Sequence, residues 1–254
     1  MWFRGAPLWT IGAALLCGTQ AYAQWINYPA HGIPRTADGK PDLAAPAPKM
    51  PDGKPNLSGV WEQPNARSSG YYLKGIDIPW QPWAKALFDQ NTANNLMDNP
   101  ESKCLPRGTP KADAFDLHKI VQTPELIVIL YEYQTTYRQI FLDGRELPKD
   151  PNPTWGGYSV GHWEGDTLVV ESNGFNGKAW LSGFGNPTTD AMRLTERMRR
   201  RDFGHMDIQL TIDDPKAYTK PWTVTEPVTL LPDTELLEYV CNENNKDLQH
   251  LVGK

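Results

Sequence analysis

From Lys119 onward, the chain is a succession of short segments rich in β-branched and aromatic residues, and this feature constrains the fold most. Asp-Gly, Pro or Asn signals separate these segments, and no helical pattern intervenes. A run of strands of this kind predicts an antiparallel meander. The edge strands of such a sheet would present unpaired backbone N–H and C=O groups. We therefore expect a mainly β fold that closes into a lipocalin-like barrel, with a β-sandwich as the alternative. The segments are residues 125–134, 135–142, 155–164, 166–173, 205–212, 221–230 and 234–241.

Two further segments are assigned less directly. One short helix is predicted around residues 83–95, where Pro82 suits the first turn. The segment AMRLTERMRRR, residues 191–201, fits both a helical and a strand period. Its position between strands favours a strand.

The stretch GYSVGHWEGDTLVVES, residues 157–172, could be a reactive site or a turn. If the Gly-Asp pair at 165–166 forms a two-residue turn, His162 lies opposite Val169. Alternation then places Trp163 on the core face and His162 on the mixed outer face, near an exposed turn. We therefore interpret the stretch as a hairpin.

The sequence IFLDGREL, residues 140–147, has the same appearance. Asp143 and Gly144 are the residues that a type I′ turn favours. This pattern predicts a second hairpin, in which Leu142 pairs with Arg145.

The N-terminal residues have the order of a secretory signal. Arg4 precedes a short apolar run, and small residues at Ala21 and Ala23 predict cleavage after Ala23. The run is about half the ~20 residues of a membrane span, so no integral span is expected. A lipid anchor on Cys17 is the alternative, which the large Leu16 before it disfavours. We expect a signal peptide at 1–23, an extended Pro/Gly-rich leader at 24–56 and a single barrel domain at 57–254.

Export would leave two cysteines, Cys104 and Cys241. In an oxidising compartment, a lone pair of cysteines predicts one disulfide. The sequence contains no spaced Cys/His cluster and no HExxH motif, so no metal site is predicted.

The charge balance is acidic. The chain has 25 Lys and Arg residues against 30 Asp and Glu residues, a net charge of -5. A large nucleic-acid footprint is not expected, because phosphate binding requires a surplus of basic residues. We predict a periplasmic or secreted protein whose partner is a small molecule.

Three segments together resemble an uncharacterised family of exported bacterial proteins: WEGDTLVVES, the run RRRDFGHMDIQLTIDDPKAYTKPWT at 199–223, and LLEYVCNENN at 236–245. The resemblance covers most of the chain from Leu57 onward and implies a β-rich fold similar to the lipocalin or streptavidin barrels. Members often have Gly-His-Pro-His-Ser-acid where this chain has GNPTTD, residues 185–190. Asn186 and Thr188 replace both histidines, and Asp190 keeps the acid.

The first functional hypothesis is a barrel that binds a small apolar, aromatic or sugar-like ligand in its mouth. Ligand pockets combine apolar walls with a few convergent polar groups. The glycine-bearing segment 175–190 is a candidate mouth loop, although its aromatic residues could equally pin the loop to the barrel. Glu171 lies on a strand, either solvated or inside a cavity. The candidate ligand-binding residues are Trp180, Phe184, Tyr137, Trp155, Tyr158 and Glu171.

The second hypothesis is an enzyme without a redox cofactor: a hydrolase, lyase or isomerase. The sequence has no glycine-rich phosphate loop and no GxSxG elbow, so acid/base chemistry by carboxylates remains. The candidates are Asp190, Arg193 and Glu196, which are close in the sequence. In a strand, Arg193 points away from Glu196, and the three do not converge. No cofactor is expected.

A third hypothesis is an envelope structural or interaction protein, which meets a partner through exposed aromatic residues. The candidates for such a surface are Trp25, Tyr71, Tyr72, Trp80 and Trp83.

Overall fold

The computed structural model describes residues 30–64, 71–73, 75–115 and 117–243. The predicted signal peptide and the first residues of the predicted leader, including Trp25, lie outside the described residues. Within the described ranges, no helix has both the length and the apolar character that crossing a bilayer requires.

Nine strands within the described residues form a closed barrel, in which each strand pairs with its neighbours in sequence and the ninth returns to the first. Eight of the neighbouring pairs are antiparallel, and only β4 and β5 run parallel. The predicted mainly β barrel is confirmed. The strands are β1 (Gly59–Glu62), β2 (His118–Gln122), β3 (Leu126–Tyr131), β4 (Tyr137–Phe141), β5 (Tyr158–Glu164), β6 (Thr167–Asn173), β7 (Arg193–Arg200), β8 (His205–Asp213) and β9 (Trp222–Leu230).

The helices precede β2 in the chain. Helix α1 (Pro82–Ala93) begins with the proline that the sequence places in its first turn. A second, short helix, α2 (Lys111–Phe115), directly precedes β2. Two 3-10 turns lie at Tyr71–Leu73 and Pro100–Lys103.

The predicted hairpin at 157–172 is confirmed. Strands β5 and β6 pair His162 with Val169, as the Gly-Asp turn requires. Gly165 has a φ of 60°, which a glycine adopts without strain. His162 lies outside the barrel, where its ring is 3.4 Å from the exposed Glu164 carboxylate. The ambiguous segment 191–201 contains strand β7, as its position indicates.

The predicted hairpin at 140–147 is wrong. Strand β4 ends at Phe141, and the chain then crosses to β5, which runs parallel to β4. The Asp-Gly signal produces only a local bend, in which the Asp143 carboxylate accepts a hydrogen bond of 2.8 Å from Arg145 Nε. The physical reason is the sequence that follows: prolines at 148, 151 and 153 cannot donate hydrogen bonds to a returning strand.

Alternate residues of every strand point into the barrel and are buried, so side chains fill the interior. Most are aliphatic, and Trp61 is the largest that is fully buried. Polar exceptions are concentrated on the inward positions of β4 to β7 and β9. They are Arg138, Ser159, Ser172, Glu196, Arg200 and Glu226, and His118 is a further buried polar residue at an inward position of β2.

The segment 175–190 covers one end of the barrel. Leu181 is part of the buried core, and its carbonyl accepts a hydrogen bond from the Tyr72 hydroxyl. The hydroxyl of Tyr218 donates to the Pro187 carbonyl at 2.8 Å, and the Tyr218 ring packs edge-on against Trp222 of β9. The loop therefore closes this end instead of forming an open mouth.

Residues 30–56 lie against the opposite end of the barrel. The amides of Phe203 and Gly204 donate to the carbonyls of Ala45 and Leu43, at 2.7 and 2.8 Å. Lys49 Nζ lies 2.7 Å from the Asp166 carboxylate in the β5–β6 turn. This segment is thereby tied to two turns of the barrel.

The disulfide between Cys104 and Cys241 is confirmed, with 5.7 Å between the two Cα atoms. It joins the loop after the second 3-10 turn to the chain beyond β9. Nearby, the ring of Tyr239 stacks on Tyr133 at 5.1 Å. The bridge therefore holds the chain after β9 against the outside of the barrel.

Candidate functional site

A cleft of about 420 Å³ opens where β4 and β5 meet, and we call it the seam cleft. Only two residue pairs join these parallel strands, so their other residues leave a gap in the wall. The segment 106–112, which leads into α2, forms the facing side. The cleft is lined by Pro106, Gly108, Thr109, Ala112, Tyr131, Thr136, Tyr137, Arg138, Gln139, Phe141, Thr154, Trp155, Gly156, Gly157, Tyr158 and Ser159.

Close backbone packing shapes the cleft at Gly108. A Cβ atom on Gly108 would lie 2.6 Å from the Trp155 carbonyl oxygen, and its φ of 71° disfavours any larger residue. The segment before α2 can therefore lie directly against the chain that enters β5. This contact fixes the width of the cleft on its α2 side.

Aromatic side chains line the cleft. Phe141 and Tyr158 stack with their ring centroids 5.3 Å apart, and the Arg145 guanidinium lies 3.8 Å from the Phe141 centroid. Arg145 Nη1 also donates to the Tyr158 hydroxyl at 3.0 Å. Tyr137 is 68% exposed, although aromatic side chains usually bury most of their surface. Trp155 is a further aromatic residue in the lining of the cleft.

Below the rim, Arg138 points into the barrel and is almost fully buried. Its Nε donates to Ser159 at 3.1 Å, and its Nη1 donates to Asp113 and Glu196, both at 3.1 Å. Its Nη2 donates to Ser172 at 3.0 Å and to the second Glu196 oxygen. All five N–H groups of the guanidinium are therefore used, and we call these five residues the Arg138 cluster.

The Arg138 cluster replaces main-chain pairing that the seam lacks. Asp113 belongs to α2, Arg138 to β4, Ser159 to β5 and Glu196 to β7. Because the bond from Arg138 to Ser159 crosses the two-pair seam, the side chains hold together strands that the ladder joins only briefly. The cluster also ties α2, one side of the cleft, to the barrel.

Burial alone favours the neutral forms of the ionisable groups in the Arg138 cluster, whereas their ion pairs favour the charged forms. Burial lowers the pKa of Arg138, but the carboxylates of Glu196 and Asp113 outweigh it and raise that pKa above its ordinary value. Burial raises the pKa of Glu196, and the neighbouring Arg138 counteracts the rise. Tyr131 donates to Asp113 at 2.5 Å, and burial raises its pKa well above the ordinary range.

A third carboxyl group, Glu226, points inward from β9. It is 1% exposed, and its Oε1 accepts no hydrogen bond from any described residue. Burial, followed by the charges of Asp113 and Glu196, raises the pKa of Glu226 to about 8. The interior thus contains three carboxyl groups near one arginine.

The structure brings three of the six predicted ligand-binding residues together. Tyr137, Trp155 and Tyr158 all line the seam cleft. The other three lie elsewhere. Trp180 and the 45% exposed Phe184 belong to the loop that closes the barrel end, and Glu171 is exposed on the outer face of β6.

The three candidate catalytic residues are not brought together. Asp190 is exposed and forms an ion pair of 2.6 Å with Lys216. Arg193 is exposed on the outer face of β7, and Glu196 points inward into the Arg138 cluster. Asn186 and Thr188 are buried and hydrogen-bonded within the closing loop, to Ser182 and to the Ala179 carbonyl.

Sequence reasoning missed Asp113, Ser159, Ser172 and Glu226. Alternation along β4 already separates Tyr137 from Arg138, so an inward arginine was detectable in principle. Its partners come from three other strands and a helix, which no local pattern connects. Among the described residues, no three His, Cys, Asp or Glu side chains are grouped so that they could hold a metal ion.

Comparison with known proteins gives little further information. No family model matches the chain, and no curated protein matches it. A solved structure with which it aligns is a mutant of the fluorescent protein UnaG, at 16% identity and a TM-score of 0.31. The alignment covers 69% of this chain and 96% of that one.

Proposed function

We propose that this protein binds a small, neutral, ring-bearing molecule, an aromatic compound or a sugar, in the seam cleft. The observation that carries the proposal is the convergence of Tyr137, Phe141, Trp155 and Tyr158 on one break in the barrel wall. The cleft volume of about 420 Å³ is within the range of small-molecule pockets.

The polar groups of the cleft favour a neutral ligand. Arg138 lines the cleft, but its N–H groups are already bonded and its charge is balanced by Glu196 and Asp113. Thr109 and Gln139 also line the cleft, and their uncharged side chains can form hydrogen bonds with a ligand. The aromatic side chains supply apolar surface and stacking faces.

Replacing Trp155 with alanine should weaken ligand binding at least tenfold. Tryptophan and tyrosine residues at binding hot spots commonly contribute about 2 kcal/mol or more each, and about 1.4 kcal/mol already corresponds to a tenfold change in affinity. The probes are para-nitrophenyl glycosides, which join a sugar to an aromatic ring, and titration calorimetry measures their affinity.

Trp83→Ala is the matched control for this test, because Trp83 is an exposed tryptophan on α1, outside the cleft. It should leave the affinity unchanged. If no probe binds, or if both variants weaken binding equally, the seam cleft is not the site.

We also propose that the chain is an exported protein of the bacterial family it resembles, with the leader at 24–56 and a single barrel domain at 57–254. The charged, apolar and small-residue order of residues 1–23 supports export, as does the disulfide. N-terminal sequencing of the protein recovered from the cell envelope is expected to begin at Gln24. A chain that retains Met1 would contradict the proposal.

A further inference from the structure

A second cleft, of about 300 Å³, lies at the opposite end of the barrel, beneath residues 30–33, and we call it the leader cleft. Its walls are largely apolar and come from the leader, the start of β1 and the chain around the end of β9. The apolar wall residues are Ile33, Val60, Phe203, Leu230 and Leu231.

Arg200 is a buried cation in the wall of this cleft. Its side chain is inside the barrel end, 4.8 Å from the Trp61 ring centroid and 5.2 Å from that of Phe203. Its hydrogen-bond acceptors are main-chain carbonyls. Nη1 donates to the carbonyls of Asn56 and Ser58, at 2.6 and 3.4 Å. Nε donates to those of Asp202 and Phe203, at 3.2 and 3.1 Å, and Nη2 donates to that of Phe203.

Arg200 has no ion pair in the described part of the chain, in contrast to the other charges around the cleft. Lys119 binds Glu235 at 2.5 Å, and Arg35 binds Asp233 at 2.6 Å. Burial lowers the pKa of Arg200 to about 10, so it remains a cation at neutral pH. A buried charge is ordinarily paired, because removal from water is costly.

One N–H group of Arg200 makes no hydrogen bond to any described residue. A guanidinium has five N–H groups, two of them on Nη2. Nη2 makes one hydrogen bond, to the Phe203 carbonyl, so its second hydrogen has no acceptor among the described residues. The charge of Asp202 acts on Arg200, but no carboxylate of the described residues forms an ion pair with it. The cleft thus combines apolar walls with a cation that lacks a direct ion pair and with a donor.

We propose that the leader cleft binds the carboxylate of a small amphiphile, with the carboxylate against Arg200 and the alkyl chain against the aliphatic wall. Arginine is the preferred partner of carboxylates, and bonds between charged partners are stronger than neutral ones. The site is separate from the seam cleft and does not depend on its function.

The unmodified protein supplies the first test. Octanoate, octanol and octylamine share one alkyl chain and differ in the head group. Titration calorimetry is expected to show one saturable site for octanoate, with octanol at least tenfold weaker and octylamine weaker still. Equal affinity for octanol or octylamine, or no octanoate binding, would overturn the proposal.

Two variants locate the site. Arg200→Gln should weaken octanoate binding at least tenfold, with circular dichroism showing that the variant remains folded. Trp155→Ala, in the seam cleft, should leave octanoate binding unchanged. The proposal is wrong if Trp155→Ala abolishes octanoate binding, or if folded Arg200→Gln binds octanoate as well as the original protein.

Discussion

Replacing Arg138 with methionine is expected to lower the free energy of unfolding by about 3–5 kcal/mol at pH 7, the usual cost of breaking a buried ion pair. The change leaves Asp113 and Glu196 inside the barrel without a counterion, and it removes the bond to Ser159 across the seam. Urea unfolding followed by tryptophan fluorescence measures the loss.

Arg199→Met is the matched control, because Arg199 is an exposed arginine on the outer face of β7, the strand that carries Glu196. Its effect should stay within about 0.5 kcal/mol. Adding Glu196→Gln to Arg138→Met should recover part of the loss, since one uncompensated charge disappears and the two sites are coupled. If Arg138→Met costs no more than Arg199→Met, the cluster does not hold the seam together.

The overall fold could be predicted because it rests on local signals. Alternating β segments and turn residues predict the barrel strands, and the Gly-Asp turn at 165–166 fixes the register of β5 against β6. The disulfide could be predicted from the number of cysteines and the expected oxidising compartment. The same local logic failed at 140–147, where three prolines downstream decide against the hairpin that Asp143 and Gly144 favour.

Only part of the candidate site could be predicted from local sequence signals. Tyr137, Trp155 and Tyr158 were predicted as ligand contacts, and they share a cleft because β4 and β5 are parallel. That pairing is non-local, and no sequence pattern indicated it. Asp113 and Ser159 belong to the Arg138 cluster for the same reason: the closed barrel brings distant positions together.

The seam connects stability with the proposed function. A gap between two strands creates the cleft, and the Arg138 cluster directly beneath it compensates for the missing ladder bonds. Barrel enzymes and binding proteins commonly keep polar groups where a ligand needs them, at some cost in stability. Here the polar groups of the Arg138 cluster form hydrogen bonds with one another. The aromatic residues that line the seam cleft therefore contribute most of the surface available to a ligand.

Replacing Glu226 with glutamine is expected to stabilise the protein by about 3 kcal/mol at pH 7, because each pKa unit corresponds to about 1.4 kcal/mol. Burial raises the pKa of Glu226 from 4.5 to about 8. Between these two values, the folded protein keeps a proton that the unfolded chain releases. Glu226 therefore makes stability fall as the pH rises from about 4.5 to 8, and glutamine, which mimics the protonated carboxyl, removes that loss.

The pH dependence separates this explanation from simple repacking. At pH 5 the variant should be within about 1 kcal/mol of the original protein, and its advantage should grow toward pH 8. Glu171→Gln, on the exposed outer face of β6, removes the same charge and should change stability by no more than about 0.5 kcal/mol at either pH. Urea unfolding at pH 5, 7 and 8 measures all three proteins. An advantage for Glu226→Gln that is constant with pH would show that the carboxyl does not hold a proton in the folded barrel, since only a change in protonation makes the two curves diverge.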